Sequence, residues 1–160
     1  MNNVCVWSSL SFLAAGLLTG HAPLKILWVA SSFNHAGHQW VYTFDKTLAH
    51  TTCLWSMLTI PRVHTLWVFL YWYGWAWTFC VYYLFGLSHI PPPVGDYWHA
   101  SVHVMSSVGM VAHHKANPEP LNEPMFWALM IPVFVFLEYQ QILFKNLMKV
   151  TRPRTIQAHT

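Results

Sequence analysis

The sequence predicts an all-α fold, a polytopic transmembrane helical bundle of five or six membrane-spanning helices with no soluble domain. Two observations carry that prediction. Hydrophobic residues make up 55% of the 160 positions and charged residues only 8%, whereas a soluble domain carries roughly a quarter charged residues. The charges also avoid the apolar runs: Val4 to Thr19 and Thr65 to Leu87 contain no Asp, Glu, Lys or Arg, and runs of about twenty such residues match the hydrocarbon thickness of a bilayer.

Gly, Pro and charged residues punctuate the chain at Gly20-His21-Ala22-Pro23, Pro61-Arg62, Ser88 to Asp96 and Ala116 to Pro124. These breaks separate helices over 4–19, 24–37, 44–60, 64–87, 97–115 and 125–148. Residues 4–37 are read either as two helices or as one long broken helix. The start, Met1-Asn2-Asn3-Val4, lacks the basic residues of a signal peptide, so the first segment is read as a retained helix. Residues 1–150 then form a single transmembrane helical domain and 151–160 a short basic C-terminal tail. The fourth run, from Trp67 to Phe85, sets aromatic residues at every helical angle, which predicts a helix facing lipid or partners all round. Cys5, Cys53 and Cys80 lie in separate apolar runs without paired spacing and are read as core residues.

Alternating helices place the loops at 38–43 and 88–96 and the C-terminal tail on one side, A, and 20–23, 61–63 and 116–123 on the other, B. Side A collects Lys46, Lys145, Lys149, Arg152 and Arg154 and side B Arg62 and Lys115, which makes side A cytoplasmic or matrix-like, with the C-terminus there. Lys145, Lys149, Arg152 and Arg154 follow the last span and are suited to anionic phospholipid headgroups. The basic end is too small for nucleic-acid binding.

Ionisable residues inside a bilayer are costly and point to function. Of the eleven histidines, His35, His38, His50, His99 and His103 fall near side A, while His113-His114-Lys115 reads as an interfacial cap on side B. His99 and His103 stand at i and i+4 and share a helix face, as do Ser31 and His35. Parity brings Ser31, His35, Asp45, His99, His103 and Glu138 to similar depth. Three imidazoles holding a zinc ion with one open position lower the pKa of its water to about 7 and give a hydroxide nucleophile. Asp45 or Glu138 then serves as the base and Ser31 as a donor to the developing oxyanion.

Ser31-x-x-x-His35, the downstream Asp45 and Asp96-Tyr-Trp-His99-Ala-Ser-Val-His103 resemble the signature of the CREST membrane hydrolases, which include alkaline ceramidases, adiponectin-receptor-like and myomaker-like proteins. The resemblance spans segments 31–46 and 96–104. It implies zinc at His35, His99 and His103, and hydrolysis of a lipid amide or ester. Such proteins have four helices between the two His-bearing ones, whereas only two fit here.

A second arrangement uses His50 and His103 as the axial pair of a b-type haem. Asp45 and His50 point about 140° apart on an ideal helix, so the zinc and haem readings require different rotations of it. No Walker loop, dinucleotide fingerprint, nucleophile elbow or haem-attachment motif is present in the sequence. Three functions therefore stand open. The first is an accessory or assembly subunit of a multisubunit complex, packed on other membrane subunits and lipids, with the respiratory chain of the mitochondrial inner membrane as its setting. The second is a compact CREST-like zinc-dependent hydrolase. The third is a haem-bearing electron-transfer anchor.

Overall fold

The computed structural model describes residues 3–59, 66–84, 90, 91, 93–117 and 122–151. Among these the secondary structure is helical throughout, with no strand. The elements are α1 (Asn3–Ser8), α2 (Leu10–Thr19), α3 (Ala22–His35), α4 (Tyr42–Leu58), α5 (Leu66–Phe79), α6 (Val94–Ala116) and α7 (Glu123–Thr151). One of them, over Glu123–Leu143, is long and apolar enough to cross a membrane.

The ambiguity over 4–37 resolves as a helical hairpin. Gly20 caps α2 at φ 78°, a left-handed conformation that costs glycine nothing. Pro23 then sits in the first turn of α3, where its missing N–H removes no helical bond. The first segment is further broken at Ser9, whose hydroxyl donates to the Cys5 carbonyl at 2.8 Å, a back-bond that bends helices. A second left-handed glycine, Gly37 at φ 105°, ends α3, and a 3-10 turn over Gln39–Val41 leads into α4.

Helix α6 is the hub, packed by α5, α2 and α1, while α3 lies against α1, α2 and α4, and α7 packs chiefly on α4. The core is built of Phe12, Leu24, Leu27, Leu48, Trp55, Tyr71, Trp75, Met110 and Phe126. Two of its amphipathic rings have satisfied polar ends: Tyr71 donates to the Ser56 carbonyl at 2.8 Å and Trp55 Nε1 to the Asn122 carbonyl at 3.2 Å, as burial of such rings favours.

The expectation that the aromatic run is exposed all round is corrected here. Tyr71, Gly74 and Trp75 are buried and form one face of α5 turned to α6; Phe69, Trp72, Tyr73 and Phe79 remain outside. Composition hides that face, because what defines it is a glycine. A Cβ on Gly74 would stand 2.6 Å from the Met105 carbonyl oxygen and 3.0 Å from the Gly109 nitrogen, and neither backbone atom can yield as a side chain can. Gly74→Ala is therefore expected to lower stability by about 1–3 kcal/mol, read as an earlier thermal transition in detergent. An unchanged melt would show that the two helices separate at no cost.

His113, read from the sequence as part of an interfacial cap, lies in the last turn of α6. It is wholly buried, and its Nε2–H donates to the Thr59 carbonyl at 2.6 Å, beside Asn117. Close to it in sequence, His114 meets His21 edge to face at 5.4 Å between ring centres. His21, in the turn before α3, lies 3.8 Å from Glu123 Oε1 and also faces Trp55.

Burial, with the neighbouring His114 and His113, holds the His21 imidazole below its ordinary 6.5 despite Glu123. The unfolded chain then binds the extra proton first, so this contribution to stability is intact above pH 6.5 and lost as the pH falls below it. Melts from about pH 7.5 to 5.5 should show a downward slope for the native chain and a shallower one for His21→Gln. Equal slopes would remove His21 as the cause.

Candidate metal centre

At the opposite end of the bundle α3 and α6 bring three imidazoles into one cluster. Ring centres lie 4.8 Å apart for His35 and His99, 5.1 Å for His35 and His103, and 4.8 Å for His99 and His103. The i, i+4 pair on α6 supplies two of them on one face, and the end of α3 places the third against it. The expected convergence of these histidines is present.

Hydrogen bonds fix the tautomer of the most buried ring. Ser8 Oγ lies 2.9 Å from His103 Nδ1 and 3.0 Å from the Cys5 carbonyl oxygen. The single hydroxyl hydrogen belongs to the carbonyl, which can only accept, so His103 Nδ1–H donates to Ser8 and Nε2 keeps its lone pair. An outer partner on one imidazole nitrogen is the usual support for a metal on the other. By the same logic Ser9 donates to the Cys5 carbonyl, and Ser31 donates to Ser9 Oγ at 3.0 Å.

Ser31 and Asp45 both reach this region. They line, with His99 and His103, a cavity of about 500 Å³ whose apolar wall includes Phe12, Leu27, Trp75, Val102 and Met110. Asp45 is buried, and its Oδ2 accepts from Asn34 Nδ2 at 2.7 Å. Lys46 lies on the same wall, with its ammonium 4.6 Å above the Tyr42 ring.

His50 lines the cavity too, though away from the imidazole cluster. Its Nδ1 donates to the Lys46 carbonyl at 2.8 Å, and its ring sits 5.9 Å from both Tyr82 and Tyr83. Five π-helical residues, Cys80–Leu84, continue α5 and turn these consecutive tyrosines toward one histidine, a local rewinding often found at functional sites. His50 and His103 thus share a cavity. The ring neighbours of His103 are two imidazoles and Phe12, surroundings that suit a small ion better than the face of a macrocycle.

Glu138 is not brought to the site. It lies on α7, outside the residues that line the cavity; α7 packs chiefly on α4. Of the predicted headgroup contacts, the side chains of Lys145 and Lys149 and the whole of Arg152 and Arg154 lie outside the described residues.

Ring nitrogens of His35 and His99 lie within 4.8 Å of each other, with the His103 ring beside them, and could hold a divalent metal of the zinc type. Three imidazoles are a common zinc donor set, and His35 Nε2 is a buried nitrogen without a hydrogen-bond partner among the described residues. Such an orphan calls for an explanation, and a cation between the rings supplies one. Sequence reasoning missed the residues around the histidines: Cys5, Ser8, Ser9 and Asn34. The signal for the first three was available, since Cys5, Ser8, Ser9 and Phe12 follow the i, i+3, i+4, i+7 spacing of one helix face.

Comparison of the chain with protein-family models, with curated proteins and with solved structures returns no match. Function must therefore be argued from the site itself.

Proposed function

We propose that the chain is a multi-pass membrane protein carrying a zinc-dependent hydrolase site. The carrying observation is the convergence of His35, His99 and His103 beside a cavity that also receives Ser31 and Asp45. More narrowly, the proposed activity is that of a CREST-like enzyme cutting an amide or ester of a lipid, since the same five positions carry that resemblance.

The membrane part of the reading draws on the exterior. Besides the helix over Glu123–Leu143, the outer faces carry Leu17, Leu18, Phe69, Ile131, Val135 and Phe136, each more than half exposed. Apolar surface on that scale is a liability in water and the natural exterior in lipid. The apolar side of the cavity accepts an acyl chain and its polar end the scissile group.

Bound zinc supplies Lewis acidity and lowers the pKa of water to about 7. The chain's own groups do the rest. His35, His99 and His103 would hold the ion, with Ser8 fixing the ring of His103. Asp45 Oδ1, the oxygen not taken by Asn34, accepts the proton of the attacking water and returns it to the leaving amine or alcohol as the C–N or C–O bond breaks. Ser31 turns its hydroxyl from Ser9 to the carbonyl oxygen on which negative charge develops. Asn34 keeps the carboxylate in place.

Metal analysis with an optical spectrum on the purified full chain tests the reading, alongside release of fatty acid from acyl amides and esters in mixed micelles. One zinc per chain and chelator-sensitive release support the hydrolase. A haem absorption band would replace it with the electron-transfer anchor. Neither metal nor haem, with stable association with a larger membrane assembly, would return the chain to the accessory-subunit reading.

A further inference from the structure

The donor atoms lying closest together in this region include one that is not an imidazole. Cys5 Sγ and one ring nitrogen each of His35 and His99 all lie within 4.8 Å of one another. Cys5 is wholly buried and reaches the cluster from α1, which packs on both α3 and α6. Its placement is secured from several directions. Ser8 and Ser9 bind its carbonyl, Ser11 Oγ donates to the His103 carbonyl at 3.0 Å, and Ser107 donates to Ser11 at 3.0 Å.

Building on the zinc reading above, we propose that Cys5 is a thiolate ligand of the same ion, joining His35 and His99. Metal binding displaces the thiol proton to solvent with no change of oxidation state. Cys5 Sγ donates to the Asp96 carbonyl at 3.5 Å, a bond in which a thiol is a weak donor.

Cobalt(II) substitution of the full chain in detergent micelles gives the test, because a thiolate ligand adds an intense near-ultraviolet charge-transfer band to the visible bands that any bound cobalt shows. The native chain should show both sets. Cys5→Ser should lose the charge-transfer band and keep the visible bands, while Cys53→Ser, which alters a cavity-lining thiol, should keep both. X-ray absorption on the zinc-loaded native chain should find one sulfur at about 2.3 Å, a readout independent of any variant's folding. Bound cobalt without the charge-transfer band, a band that survives Cys5→Ser, or a zinc shell of nitrogen and oxygen alone would overturn the role of Cys5 and leave the three-histidine site standing. Failure of the native chain to bind cobalt or zinc at all would overturn both.

Discussion

His99→Ala is expected to reduce bound zinc from one ion per chain to a trace after dialysis and to abolish hydrolysis. His99 touches both other imidazoles, with ring centres 4.8 Å from each, and it is the member of the α6 pair that lines the cavity together with His103. Loss of an outer hydrogen bond to a ligand alone costs about 10–100-fold in metal affinity. Loss of a ligand itself removes a bond and leaves an open, more hydrated site, so the effect exceeds that range. His99 is only half-buried, and its removal opens no cavity in the core formed by Trp55, Tyr71 and Phe126. Helix content and oligomeric state should therefore match the native chain. Zinc measured by mass spectrometry on the dialysed protein decides the matter: a variant that keeps stoichiometric zinc removes His99 from the site.

Much of the bundle was legible because helices announce themselves twice, once in apolar runs and again in the residues that end them. Gly20 and Pro23 mark the α2–α3 turn for stereochemical reasons that hold wherever they occur. The imidazole cluster was legible for a related reason. His99 and His103 share a face whatever the tertiary fold, and helix parity placed His35 at the same end of the bundle. What parity cannot give is azimuth. Glu138 matched the others in depth, yet α7 packs on α4 and leaves it outside the cavity wall. Asp45 and Glu138 were equivalent candidates for a base in the sequence; the packing order of the helices separates them. The serine seam was hidden for a different reason: serine is common in this chain, and Ser8, Ser9 and Ser31 gain meaning only when α1 is laid against α3 and α6. The buried face of α5 escaped because Gly74, which sets α5 directly against the α6 backbone, looks in sequence like a gap among aromatics.

Asp45→Asn should lower kcat by about 10²–10⁴-fold, the usual contribution of a positioned general base, while zinc stays bound and KM changes little. The substitution is nearly isosteric, and it isolates charge from shape. Asn34 Nδ2 donates to Asp45 Oδ2 at 2.7 Å; the amide oxygen of an asparagine accepts that bond equally well, so the side chain keeps its orientation toward the cavity. What disappears is the second carboxylate oxygen as a proton acceptor, since an amide nitrogen in its place can only donate. A structural role for Asp45 would be preserved by the amide, and activity would then survive. The split between kcat and KM adds a second discriminant, because Asp45 stands in the polar part of a cavity whose apolar wall supplies the acyl-chain contacts, and those contacts are untouched. A loss confined to kcat places the carboxylate in the proton transfer. A variant with native kcat would assign that transfer to another group and leave Asp45 as an anchor for Asn34.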